Sequence, residues 1–338
     1  MRFPILVRSM RRKHRAGWLL LGAILVLGGC ANLGTVEAPP PARAYLANGN
    51  GVFARYAPLF AHENDALAYN RIGRPIARTD DRNETVVSID PTRPVIFAEQ
   101  RGFAAKSGVR YTNLIYRVHF AQTPVQFIPF HVTAGRNVGL LVIVTVNAAG
   151  EPVLYTTVHT CGCYAAFVPT SFLPTDALPQ DWPAGKQRVW GEWLPTMLAL
   201  STPFDGQQRP LIRLRDGTHR VMDVQATRAS EARIAFRPVA TPIEPITNLK
   251  RLPLGDGETV SLFHTGGFRE GYVRETFKPF EVLLVSWWAL DINAGTDKDY
   301  GTLTDTGRKF YTSFRPWKRA ESDMRDFARF LTHWGWRL

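Results

Sequence analysis

The sequence predicts a predominantly β or mixed α/β fold, with an antiparallel or mixed sheet core, peripheral helices and a C-terminal amphipathic helix. Three observations carry this reading. Leu114, Tyr116, Val118 and Phe120 fall on alternate positions of the segment 109–120, the period of one sheet face. Asp216-Gly217 separates the apolar runs 211–215 and 218–224, a strong hairpin signal. Met324, Phe327, Phe330, Leu331 and Trp334 recur at spacings of three and four, the stripe of a helix that buries one side.

Taken in chain order, residues 52–60 begin a helix that Pro58 interrupts, because proline removes a ladder donor. Residues 138–146 form a continuous apolar strand, and 147–152 turn the chain into a strand at 153–159. Residues 197–200 read as a short helix, and 234–239 and 258–263 as strands. Prolines between these runs argue against one uninterrupted flat sheet. The last helix is expected over 321–334. Glu321 and Asp323 suit the positive end of its dipole, His333 suits the negative end, and Gly335 stops it. Its stripe should dock on the β core.

The N-terminal segment has a different character. Arg2, Arg8, Arg11, Arg12, Lys13 and Arg15 precede an apolar run of 14 residues, 16–29, which ends at Cys30. A basic start, an apolar middle and small residues before a processing point describe an export signal. At about 1.5 Å per residue the run reaches roughly 21 Å, short of the roughly 30 Å hydrocarbon layer, so it is ill suited to span a membrane. Leu27-Gly28-Gly29-Cys30 resembles the lipobox of bacterial lipoproteins. That resemblance covers the first 30 residues. It implies diacylglycerol on the Cys30 thiol, cleavage after Gly29 and acylation of the new amino terminus. Ala31, where an Asp would retain the protein at the inner membrane, resembles the lipoproteins sorted outward. This implies an outer-membrane anchor and a domain facing the periplasm. The expected organisation is a cleaved signal peptide at 1–29, a lipidated terminus and Pro-rich tether at 30–44, and a β-rich globular domain at 45–338. Pro39, Pro40 and Pro41 stiffen the tether.

Charge follows the same division. The formal net charge is +12, and the first 29 residues supply six basic side chains and no acidic one, so half of the excess serves targeting. No long Lys/Arg tract is present, which argues against nucleic acid as a partner. The membrane is the expected partner through the lipid anchor, with an envelope protein or small ligand as a further one. No pattern fixes an oligomeric state.

The sharpest chemical motif is His159-Thr-Cys161-Gly-Cys163-Tyr164. If the preceding strand persists, His159, Cys161 and Cys163 share one face, and two thiolates with an imidazole suit copper or zinc. His119, His131 and His264 are candidate further ligands. A Cys161–Cys163 disulfide is the competing state, compatible with an oxidising compartment, and its tight ring favours thiol exchange. The spacing is neither the Cys-x-x-Cys of thioredoxin-like redox centres nor the haem-attachment motif. His159 also suits stacking on Tyr155 or Tyr164.

A second polar island, Asp291, Asn293, Asp297 and Asp299, is similar to part of a calcium loop but lacks its closing Glu, and also reads as a hydrogen-bonded turn. The late aromatics, among them Trp287, Trp288, Trp317, Trp334 and Trp336, are expected to seal sheet edges and the last helix. The glycine-rich 265–271 reads as a turn. The leading functional expectation is a lipid-anchored envelope protein with a ligand- or protein-interaction role. The alternative is a periplasmic metal- or thiol-dependent enzyme built on Cys161 and Cys163.

Overall fold

The computed structural model describes residues 42–255, 257–302 and 309–338. The expected export signal and lipidation site at Cys30 lie outside these residues. The strands β1 (Arg43–Asn48) and β2 (Leu59–His62) flank a helix α1 (Val52–Tyr56), and β3 (Arg74–Thr79) pairs with β4 (Thr85–Asp90) as a separate hairpin. Then β5 (Ile96–Ala104), β6 (Arg110–Thr123), β7 (Gly135–Val146), β8 (Pro152–His159) and β9 (Ala166–Pro169) run as an antiparallel meander. A small hairpin of β10 (Lys186–Val189) and β11 (Glu192–Pro195) precedes the pair β12 (Gln208–Leu214) and β13 (Val221–Arg228). Helix α2 (Ala229–Ala235) leads into β14 (Arg237–Pro245) and the short pair β15 (Leu252–Gly255) and β16 (Glu258–Val260). Helices α3 (Pro279–Ala289) and α4 (Phe327–His333) follow.

Ten of these strands make one sheet in the order β13-β12-β2-β1-β14-β5-β6-β7-β8-β9. It is mixed, because β1 with β14, β2 with β12 and β14 with β5 are parallel and its other pairs antiparallel. The alternation read in the sequence is real. Leu114, Tyr116, Val118 and Phe120 pack with Val138, Leu140, Val142 and Val144 in one core, while Ile115, Leu141 and Ile143 belong to a second. Adjacent side chains on a strand point to opposite faces. The continuous apolar run of β7 therefore reflects burial on both sides.

The second core includes Phe327, Phe330 and Leu331 of α4, which docks as its stripe requires. Leu331 is almost fully buried. Leu331→Ala is expected to cost about 2–5 kcal/mol by leaving a cavity, measured as a lowered midpoint in urea unfolding.

Several boundaries differ from the sequence reading. Helix α4 starts at Phe327 rather than 321. Asp326 caps it by accepting from the Arg329 N–H, and the Met324 N–H is already donated to the Phe310 carbonyl. Residues 197–200 are not helical. The Leu198 N–H goes to Pro169 and its carbonyl accepts from Ser171, and four residues are too few to nucleate a helix against that pairing. Residues 229–235 are helical and β14 begins only at Arg237. β1 takes in Arg43 and Ala44, shortening the expected tether by two residues. Among the described residues no helix is long and apolar enough to cross a membrane.

Candidate functional site

The chemistry gathers where β8 ends. The strand stops at His159, and the chain reverses with the Gly162 N–H donating to the His159 carbonyl and the His159 N–H to the Cys163 carbonyl. Gly162 has φ 90°, and a Cβ there would run into the Tyr311 carbonyl oxygen, so the turn requires glycine. Cys161 and Cys163 are joined as a disulfide, 2% and 8% exposed. The strand does not persist through them, so His159 and the two sulfurs do not form a shared strand face.

Two distant segments close over this turn. Helix α3 opens with Pro279 at its first position, where the fixed φ suits a helix start. Lys278 and Glu281, three residues apart, then point inward. The Lys278 ammonium lies 2.8 Å from Asp297 and 3.7 Å from Glu281, all three buried. A Glu281 carboxyl oxygen sits 3.7 Å from the Cys163 sulfur. Among the described residues its other oxygen has no hydrogen-bond partner. Gly295, at φ 79°, lets the backbone pass over this carboxyl, since a Cβ would collide with it. Asp297 accepts from the hydroxyls of Thr160 and Thr276, and Lys298 donates to the Cys161 carbonyl at 2.6 Å beneath the Tyr311 ring.

Burial sets the electrostatics. It raises Glu281 above the usual carboxylate range, with Lys278 opposing. It also opposes ionisation of Asp297, but Lys278 and the hydroxyls outweigh it and the pKa is lowered. Burial disfavours the Lys278 charge too, yet Asp297 and Glu281 more than compensate and its pKa rises. Lys298 is pulled down by burial to about 8.

Beside the turn runs a chain of three buried histidines. His219 Nε2 lies 3.0 Å from the Gln122 carbonyl and must donate to it, leaving Nδ1 to accept from His62 Nε2 at 3.1 Å. His159 Nε2 donates to the His219 carbonyl at 3.1 Å, and its ring meets Tyr164 edge-on at 4.9 Å. Burial first, then neighbouring positive potential, lowers His159 to about 3; burial alone leads the fall of His219 to about 4 and is the main cause for His62.

This arrangement corrects the metal reading. Among the described residues no group of three or more His, Cys, Asp and Glu is placed to hold a metal ion. Copper or zinc at His159, Cys161 and Cys163 fails because the sulfurs are spent on each other and the imidazole on a carbonyl. His119 accepts from Arg117, and His131 lies against the Pro124 carbonyl. The calcium reading of the polar island fails likewise, because its carboxylates diverge. Asp291 takes the Tyr311 hydroxyl and the Asn293 backbone N–H, Asp297 takes Lys278, and Asp299 takes Lys250. Only Asp297 of that island reaches the disulfide cluster. Lys278, Glu281 and Lys298 went unread in the sequence; the signal for the first two was a charged pair at spacing three beside an otherwise apolar run.

The late aromatics divide. Trp336 is buried and Trp334 packs on Phe167, but Trp287 and Trp317 are each 72% exposed. Leu283, Leu284, Trp288, Leu290 and Ile292 join them at the surface. No protein family matches this chain, and neither a curated protein nor a solved structure is similar to it.

Proposed function

We propose that this is a bacterial envelope lipoprotein, held at the outer membrane by acylated Cys30, whose periplasmic domain binds another envelope protein through the outer side of α3. The single observation that carries the binding role is the contiguous apolar surface on that helix. Large exposed apolar patches on soluble domains mark interaction sites. Phe280 continues the patch by stacking edge-on between Phe127 and Phe130, and Trp288 continues it the other way onto Phe314. Arg315 follows Phe314 in the chain and puts a cation at that end of the patch. Tryptophans within a patch that ends in a cation suit a protein interface and favour a partner with an acidic margin. The signal segment and lipobox support the location.

The test uses the protein in its own host, with a photoreactive amino acid at position 287. Intact mass of the purified protein should first show loss of 1–29 and added acyl chains on Cys30. Irradiation should then give one protein adduct. That adduct should vanish when Leu283→Glu and Leu290→Glu are introduced, and should not form from a probe at position 231 on α2. Adducts to lipid alone, or an adduct indifferent to the glutamates, would overturn the reading.

A further inference from the structure

The geometry points to the Cys161–Cys163 disulfide as a redox-active site that oxidises a dithiol, with Glu281 as the catalytic acid–base group of the exchange. This activity goes beyond partner binding and does not depend on it.

The argument starts from what surrounds the sulfurs. A disulfide that only braces a turn needs no ionisable neighbour. Here a buried carboxyl rests on the Cys163 sulfur through one oxygen, while its other oxygen faces the Lys278 ammonium at 3.7 Å. Two glycines seat this arrangement, Gly162 against the Tyr311 carbonyl and Gly295 over the carboxyl. The placement makes sense when a thiol occupies the position of the sulfur, because a thiol has a proton to exchange and a disulfide has none. Burial raises Glu281 above the usual glutamate range, with Lys278 opposing, so its carboxylate takes up a thiol proton more readily than an exposed one does. Lys298, fixed on the Cys161 carbonyl, and Lys278 beside Glu281 bring positive charge to the turn as thiolate develops.

A cavity lies beside the turn. Tyr164, directly after Cys163 and held at φ 56°, lines this space of about 400 Å³ with Phe130, His131, Thr133, Arg215 and Arg220. Of the two cysteines, Cys163 is the more exposed residue.

The reaction balances without any further reagent. A substrate thiolate attacks Cys163 Sγ; the new S–S bond forms as the Cys161–Cys163 bond breaks, and Cys161 departs with the electron pair. The proton that the first substrate thiol gave up ends on Cys161. The second substrate thiol passes its proton to Glu281 and attacks the substrate sulfur of the mixed disulfide, expelling Cys163, which takes the proton back from Glu281. Two electrons and two protons move from the dithiol to the protein, and the substrate leaves as a disulfide.

The experiment follows reduction of the full mature protein by dithiothreitol under native conditions. Thiol counting by alkylation and mass gives the rate, and near-ultraviolet circular dichroism reports the fold. The wild type is expected to be reduced while folded, faster than it unfolds, and to reoxidise with its fold intact. Glu281→Gln should slow reduction by about a hundredfold and remove a pH-dependent step from the rate profile, and Glu281→Asp should restore part of both. Two results would overturn the inference. One is wild-type reduction no faster than global unfolding, which leaves a bracing disulfide. The other is a folded Glu281→Gln variant with the wild-type rate and pH profile. The first result is read on the wild type, so it stands even if the variants fail to fold.

Discussion

Lowering the pH from 7.5 to 5 is expected to destabilise the fold by about 2 kcal/mol for each of His159 and His219, with His62 adding to the loss. All three are neutral and buried in the folded state, with their pKa values depressed, His159 to about 3 and His219 to about 4. The unfolded chain binds protons at these positions once the pH falls below the ordinary histidine value of 6.5, while the folded chain refuses them. Stability is thus fully present above 6.5 and drains away as the pH falls toward 4. Glu99, Glu281 and Asp323, raised by burial, run the other way and offset part of the loss. The histidine loss is a large share of the stability of an ordinary domain, about 5–15 kcal/mol, so a much lower urea midpoint at pH 5 is the expected result. Urea titrations across this range should show the midpoint falling steadily. A midpoint unchanged between pH 7.5 and 5 would refute the neutral histidine chain.

Asp297→Ala should be the most damaging single substitution near the disulfide, at about 3–5 kcal/mol. It strips Lys278 of its closest counter-charge, at 2.8 Å, and leaves the hydroxyls of Thr160 and Thr276 without their acceptor. The remaining carboxyl, Glu281, stands at 3.7 Å from the ammonium. Most of the loss comes from an uncompensated buried charge, which makes it reversible by a second change. Asp297→Ala combined with Lys278→Met is therefore expected to be more stable than Asp297→Ala alone. Thermal unfolding of the two proteins decides this, and a double variant no more stable than the single would show that the pair does not set the cost.

Local patterns in the sequence announced the strands but not the site. The alternation at 114–120, the run at 138–146 and the Asp216-Gly217 turn each depend on residues a few positions apart, and each became the expected element. The C-terminal helix was legible in its apolar stripe, though not in its start, because a bridge between Tyr311 and Asp323 takes the preceding segment into extended pairing. The Cys-Gly-Cys motif was likewise visible, and His159 does contact Tyr164, edge-on rather than stacked. What surrounds it was not. Glu281 meets Cys163 across 118 residues and Lys298 meets Cys161 across 137, and no spacing rule reaches that far. Helix α3 itself escaped notice because it is apolar almost all round, so it carries little of the periodicity by which a helix declares itself. Its charged pair at 278 and 281 turns inward, the reverse of the usual expectation for Lys and Glu.

The position of β1 has a mechanical consequence. The first described strand lies inside the ten-stranded sheet, not at its edge, and it pairs with β14 along its whole length, from Arg43 against Arg237 to Asn48 against Pro242, as well as with β2. A tug on the chain ahead of Arg43 enters the domain there and runs along the strand axis. The ladder bonds on the two sides then bear that load in shear, together, whereas a hairpin at a sheet margin would peel open one bond at a time. A pull from the N-terminal side is thus met by a strand well able to withstand it.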